Sequence, residues 1–377
     1  MRTVRNANVE GKKILYRVDF NLPIDKEGRL SDDSRILSVI PTLEWVLRHK
    51  PEQIIILTHW GRPKGEDAKW QLIPVARQLA KVLKAKKLVG SEKVMTKKFR
   101  NPGSPILAKR YYIGRSITIL ENLRFDIAEE NNSAALAQKL AAEADLYVND
   151  AFATCHRAHA SVAAITRYLP AFAGMLLTNE VQQLKPLLEK QEKPFVVVIG
   201  GAKVEDKIPI INHFRQKADT ILVGGRTSVD YFAAITEPVE KLVFPVDGID
   251  VKGRITPFDK KTIENNPPFD IGPDTIVKFK SILKKAKTVF WNGPLGMAED
   301  RKFYHGSYEI ARFIANLRAT TIVSGGDTAV VIEKLDLREH FSFISTGGGA
   351  ASEYLIGKKL PGLMALEENA GTKPKIA

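Results

Sequence analysis

Cysteine is almost absent: Cys155 is the only one in 377 residues, which excludes an intrachain disulfide and suits a reducing compartment. Long apolar runs are missing too, and no stretch approaches the roughly 20 consecutive apolar residues of a membrane span. The first residues, MRTVRNANVEGKKILYRVDF, hold no apolar segment followed by a small-residue cleavage site, so no signal peptide is expected. The expected location is the cytoplasm. Several signature motifs do not occur: G-x-x-x-x-G-K-[ST], a spaced G-x-G-x-x-G, H-E-x-x-H, C-x-x-C and G-x-S-x-G. Their absence removes a P-loop, a dinucleotide fingerprint, a zinc-protease helix, a dithiol site and a nucleophile elbow. Acidic residues are in deficit, 43 against 57 basic ones, for a formal charge of +14. Such a charge suits nucleic acid, an anionic membrane surface or small polyanionic substrates. Stretches such as KVLKAKKL (81–88) and ILKKAKT (282–288) read as solvated faces, which leaves the arginines as the informative cations.

What is present is a recurring pattern. Apolar runs end in polar or glycine clusters: ILYRVDFN (14–21), IIILTHWGRP (54–63), ITILENLRF (117–125) and LYVNDAF (146–152) in the first half. FVVVIGG (195–201), TILVGG (220–225), TVFWNGP (288–294), TTIVSGG (320–326) and FISTGGG (343–349) follow in the second. Continuous β-branched runs read as strands buried on both faces, and their alternation with helical patterns such as NSAALAQKLAAEA (132–144) gives βαβ units. The fold class is therefore α/β, with two domains, each a parallel sheet flanked by helices in a Rossmann-like manner. Between the halves, Leu177, Val181, Leu184 and Leu188 space one apolar stripe along a joining helix, which Pro186 is expected to interrupt or kink. The divisions are an N-terminal domain over 1–172, a helix and linker over 173–194, a C-terminal domain over 195–355 and a closing segment over 356–377. That segment is too poor in apolar residues to be structured alone and is expected to pack back, then fray.

Ligands of open α/β sheets bind beyond the carboxyl ends of the strands. First-half strands end in Asp19 and Asn21, His59 and Arg62, Arg124, and Asn149 with Asp150, and Arg35 and Arg157 follow close by. Surface salt bridges could account for any one arginine, but several at successive strand ends suit a small ligand carrying phosphate and carboxylate. Second-half strands end in glycine: Gly200 and Gly201, Gly224 and Gly225, Gly293 before Pro294, Gly325 and Gly326, and Gly347 to Gly349. Turn formation explains a single pair; their recurrence suggests a nucleotide held by backbone N–H groups. Asp327 in SGGDTA can hold Mg²⁺ beside phosphates or cap a helix. An anion-gripping half and a nucleotide-cradling half together suit phosphoryl transfer, which demands positioning and charge neutralisation.

The motifs RVDFN, THWGRPKG, LENLRF, NDAFATCHRAHAS, GGAKVEDK, DIGPDT, WNGPLGMAE, SGGDTA and STGGGA occur in this order, and the chain from about residue 14 to Leu366 resembles phosphoglycerate kinase. The resemblance implies an N-terminal domain for 3-phosphoglycerate or 1,3-bisphosphoglycerate, a C-terminal domain for ADP or ATP with Mg²⁺, and closure about a hinge. It implies that Asp19, Asn21, His59, Arg62, Arg124 and Arg157 bind the glycerate substrate. Arg35 and Lys203 would face the phosphoryl group in transit, stabilised also by Gly347, Gly348 and Gly349. The nucleotide would be held by Gly200, Gly201, Lys207, Gly224, Gly225, Asn292, Pro294, Glu299 (at the ribose), Gly325, Gly326, Asp327 (the metal ligand) and Thr328. No general base is required, because the attacking oxygen is already anionic. A monomer is expected, with no membrane and no specific nucleic acid as partner. The sequence departs from the family between Gly224 and Asp247, where a helix or more is missing and Arg226-Thr227 replaces small and apolar residues, and at Ala153, Ala298 and Ser324. Two alternatives follow: the same fold with altered nucleotide specificity, or a basic nucleic-acid-binding protein on a kinase scaffold.

Overall fold

The computed structural model describes residues 1–100, 103–237 and 239–371. The chain divides into two compact units, Met1–Val181 with Lys359–Ala377, and Gln182–Lys358.

The first unit is built on a seven-stranded sheet in the order β3-β4-β5-β2-β1-β6-β7. Its strands are β1 (Lys13–Arg17), β2 (Gln53–Leu57), β3 (Val94–Lys98), β4 (Lys109–Ile113), β5 (Ile117–Leu120), β6 (Leu146–Asn149) and β7 (Ala171–Ala173). From β5 through β7 all pairings are parallel. The helices are α1 (Ser34–Arg48), α2 (Ile73–Ala85), α3 (Ile127–Glu130), α4 (Ala134–Ala141) and α5 (Met175–Glu189), which runs past the unit's end. Alternate residues Ile14, Tyr16, Ile54, Ile56, Ile117 and Ile119 share one core with Val39, Leu43 and Val46 of α1 and Val75, Leu79 and Leu83 of α2. The two-residue strand period and the three-to-four-residue helix period thus meet on one face.

Several elements of this unit differ from the reading of the sequence. The sheet is mixed, because β3 and β4 pair antiparallel with each other and with β5. The strand β3, VMTKK, is exposed beyond its first residue and so lacks the buried-strand pattern. Helix α5 runs through Pro186 to Glu189, and its buried residues are Leu177, Glu180, Leu184 and Leu187, with Val181 and Leu188 only half-buried. One proline removes one hydrogen bond of the ladder, and the flanking turns carry the helix on. The closing segment forms a helix of its own, Pro361–Gly371, with Gly362, Leu363, Ala365, Leu366 and Asn369 buried in the first unit. Asn369 supplies what apolar content does not: its amide donates to the carbonyls of Thr166 (2.6 Å) and Leu169 (3.1 Å) and accepts from the N–H of Ala171 (2.8 Å).

The second unit carries a six-stranded parallel sheet in the order β10-β9-β8-β14-β15-β16. These strands are β8 (Phe195–Ile199), β9 (Thr220–Val223), β10 (Leu242–Val243), β14 (Thr288–Asn292), β15 (Thr320–Ser324) and β16 (Phe343–Ile344). A small antiparallel sheet, unforeseen in the sequence because its strands are two or three residues long, joins β11 (Asp247–Ile249), β12 (Ile255–Pro257) and β13 (Asp270–Ile271). The helices are α6 (Val204–Arg215), α7 (Gly225–Ala234), α8 (Lys260–Asn265), α9 (Pro273–Leu283), α10 (His305–Ala315), α11 (Gly326–Lys334) and α12 (Gly348–Leu355). Val196, Val198, Val289, Trp291 and Val323 pack on Ile310 and Ile314 of α10. Between α7 and β11 the described residues form only the two-residue β10, and no helix.

Candidate functional site

In the first unit Arg17 ends β1, in register with Leu57 of β2 and Asn149 of β6. The residues just beyond these ends therefore converge. Asp19 ion-pairs with Arg35 in the first turn of α1, and its Oδ1 lies 3.9 Å from Nδ1 of His59. The side-chain oxygen of Asn21 accepts from the N–H of Gly61 at 2.9 Å, and its own N–H donates to Asp19 at 3.1 Å. Arg124 donates to the Gly61 carbonyl and lies 3.3 Å from Glu130. Arg157 is half-buried, its Nε donating to His156 at 3.2 Å, while Arg62 is exposed.

Electrostatics in this cluster favour a bound anion. Burial lowers the pKa of Arg124, and the charges of Arg157, Arg17 and Arg62 lower it further against the opposing pull of Glu130. A guanidinium destabilised in this way is relieved by a multiply charged anion. Burial also holds the His59 imidazole well below its usual pKa; Asp19 opposes the shift, and Arg17, Arg124 and Arg35 add to it. His59 is thus a neutral hydrogen-bonding group in a basic patch. Burial alone would raise the Asp19 carboxyl; Arg35 and the other cations, with the Asn21 N–H, keep it below its usual value.

Arg17 was not among the candidates. It is 1% exposed and sits at the centre of the cluster. Its Nε donates to Ser161 at 3.0 Å, and an Nη lies 3.3 Å from His59. Ser161 in turn donates from Oγ (2.6 Å) and N (2.9 Å) to the buried carboxylate of Glu129. The signal was available: an arginine inside the otherwise apolar strand ILYR.

In the second unit Asn292 of β14 is in register with Ile199 of β8 and Ser324 of β15, and Val223 of β9 with Ile199. The glycine turns that follow therefore stand side by side. Several are glycine for a reason internal to the fold. A Cβ on Gly200 would lie 2.1 Å from the Pro294 carbonyl oxygen, and one on Gly224 2.5 Å from Leu295. Gly326, by contrast, faces open space, as does Gly348, whose φ of +51° itself favours glycine. Gly347 caps α12, Gly348 begins it, and Gly349 is exposed in its first turn; this group follows the sheet's last strand.

Lys203 sits at the N-cap of α6, and Lys207 lies one turn inside. Lys207 binds the side-chain oxygen of Asn292, and burial lowers its pKa while Asp206 and Asp327 oppose the shift and Lys203 adds to it. Lys203, Lys207, Asn292 and Asp327 are thus one electrostatic cluster. Gly325 is the N-cap of α11, so Asp327 is in the first turn rather than at the cap. Thr328 accepts from the N–H of Gly293 at 2.8 Å and anchors that turn. The hydroxyl of Ser324 is buried and makes no hydrogen bond among the described residues.

Beside these turns lies a cavity of about 240 Å³. Gly201, Ala202, Pro294, Gly296, Met297, Glu299 and Asp327 line it together with Arg226 and the run Pro267-Pro268-Phe269. That run and Met297 were not anticipated, since apolar residues in a loop carry no chemical signature. Gly200, Lys203, Lys207, Gly224, Gly225, Asn292, Gly325, Gly326, Thr328 and Gly347 to Gly349 are not part of the lining. Among the described residues no three His, Cys, Asp or Glu side chains could together hold a metal ion, and no helix is long and apolar enough to cross a membrane.

Comparison with known proteins points to a single family. The family model described as phosphoglycerate kinase matches residues 4–255 and 233–358. The phosphoglycerate kinase of Coprothermobacter proteolyticus is 37% identical over 396 residues, covering 97% of this chain and 98% of the relative. That of Desulforudis audaxviator is 38% identical over 401 residues, covering 97% and 99%. Both alignments are longer than this chain of 377 residues, so the relatives carry segments that it lacks. Among solved structures, phosphoglycerate kinase from Pyrococcus horikoshii OT3 superposes with a TM-score of 0.81 at 28% identity over 98% of this chain and 100% of that one. The enzyme from Coxiella burnetii gives 0.78 at 31% over 98% and 99%.

Proposed function

Since the chain belongs to the phosphoglycerate kinase family, we propose that its two anion sites divide the reactants of that enzyme between them. The activity is the glycolytic one: reversible phosphoryl transfer between 1,3-bisphosphoglycerate and ADP, giving 3-phosphoglycerate and ATP, by a phosphotransferase with a carboxyl group as acceptor. The relatives give no support to either alternative, altered nucleotide specificity or nucleic-acid binding, and the second is set aside.

The first unit takes the glycerate ligand. The observation that carries this assignment is the gathering of Arg17, Arg62 and Arg157 around Arg124, whose pKa their charges lower, with Arg17 buried among them. Arg62, Arg124 and Arg157 neutralise phosphate and carboxylate, Asp19 and Asn21 meet the hydroxyl and carboxyl end, and neutral His59 supplies a hydrogen bond. Arg35, already held by Asp19, reaches the phosphoryl group in transit.

The second unit takes the nucleotide, with its base in the cavity, Glu299 at the ribose, and the phosphates at Lys207, Asn292 and the turns at Gly201, Gly325 and Gly326. Lys203 and the N-terminus of α12, where Gly347 to Gly349 stand, neutralise charge on the migrating group. Asp327 is the protein's ligand to Mg²⁺. The residues fit such an ion, because Mg²⁺ is commonly held by one or two carboxylates with phosphates and water completing its shell. When bound, the ion neutralises phosphate charge. A monomeric state, a cytoplasmic location and closure about a hinge belong to the same proposal; sedimentation velocity, cell fractionation and scattering with both ligands bound check them.

The test of the assignment is steady-state ATP formation. Arg35→Ala and Lys203→Ala should each lower kcat by about 10²–10³ while changing KM much less. Normal turnover in both variants would sink it.

A further inference from the structure

Arg226 is the cationic group of the cavity wall, in which Glu299 and Asp327 are the anionic ones. It is the second residue of α7, and Asp230, one turn on, holds its Nε at 2.7 Å. The pair steadies the side chain along the helix. Gly225 and Ser228 of the same helix turn line a smaller hollow with Pro268, which sets the start of α7 against the run Pro267-Pro268-Phe269. The Phe269 ring, 37% exposed, leans on Phe303 with centroids 5.1 Å apart.

An apolar wall with an exposed ring takes a flat base by stacking, and the polar groups nearby then choose among bases. A guanidinium offers only donors, arranged as a fork. A purine with an oxo group at C6 presents O6 and N7 as two adjacent acceptors; adenine presents N7 beside an amino group that is itself a donor. The geometry points to Arg226 as the residue that sets base preference, favouring 6-oxopurine nucleoside diphosphates in this cavity. The inference rests on the cavity being the nucleotide site.

Initial rates with ADP, GDP and IDP, for the wild type, Arg226→Met, Arg226→Lys and Phe269→Ala, test both levels. The wild type should use GDP and IDP at least as well as ADP. Arg226→Met should lose about tenfold or more of kcat/KM for GDP and IDP while ADP stays within about threefold. Arg226→Lys, with a point charge in place of the fork, should recover only part of the loss. A wild type that prefers ADP by about tenfold or more overturns the inference. So does an equal fall for all three nucleotides in Arg226→Met, which would mean that the side chain serves phosphate or fold. Phe269→Ala addresses the premise: weaker use of all three nucleotides supports the cavity as the base site, and no change with any of them overturns that reading itself.

Discussion

Gly200 and Gly326 occupy comparable turns after neighbouring strands, yet their constraints are opposite. A methyl group on Gly200 would collide with the Pro294 backbone at 2.1 Å, whereas one on Gly326 would meet nothing within 4 Å. Gly200→Ala should therefore lower stability by about 1–3 kcal/mol in denaturant titration. Gly326→Ala, at the start of α11, should leave stability unchanged or raise it by up to about 1 kcal/mol. If backbone at Gly326 meets phosphate, the same variant should weaken nucleotide binding, read by calorimetry with ADP. Equal stability of the two variants would remove the distinction. Residue types alone made these glycines look alike; what separates them is the atom opposite each one, which no single sequence states. Arg17 illustrates the reverse case, since a guanidinium in an apolar strand was legible and only its partners Ser161, Glu129 and His59 were not.

Among elements, α5 begins on a buried carboxylate. Asp150 accepts from the N–H of Leu177 at 3.0 Å and from the Tyr16 hydroxyl at 2.6 Å. Burial pushes its pKa up to about 6, against the hydrogen bonds it accepts. The unfolded chain loses this proton near pH 4 and the folded one near pH 6, so the folded state binds more protons between them. Stability from this group is present at low pH and is lost as pH rises through that window, by about 3 kcal/mol. Asp150→Asn should abolish the loss, because an amide can accept from Leu177 and donate to the Tyr16 oxygen. Denaturant midpoints from pH 4.5 to 8 should thus diverge in the variant's favour as pH rises; parallel curves would refute the assignment. The strands that neighbours cover on both faces, β1, β2, β5, β6, β8, β9, β14 and β15, were legible as apolar runs. Edge strand β3, three-residue β7 and the short strands β11 to β13 were not, since their pairing depends on distant partners more than on local pattern.

On the scale of the whole molecule, the first unit is completed by the chain's far end. Asn369, 4% exposed, satisfies backbone groups at Thr166, Leu169 and Ala171, and Gly362 lies so close to Cys155 that a Cβ there would come within 2.9 Å of its sulfur. Asn369→Ala leaves several buried partners unsatisfied and should cost about 2–4 kcal/mol. Tryptophan emission reports this unit well, because Trp45, Trp60 and Trp70 lie in it and only Trp291 in the other. ADP affinity should be unchanged, as its proposed ligands all lie between Gln182 and Lys358; a parallel loss of affinity would contradict the assignment of the sites. The position of this helix also bears on how the protein is made. A ribosome delivers Met1–Val181 before Gln182–Lys358 and Pro361–Gly371 after both, so every residue of the second unit is polymerised before the piece that finishes the first. The nascent first unit must wait, with the seat of Asn369 open, until the whole second unit has been made, and the second unit can be folded before the one that precedes it in the chain.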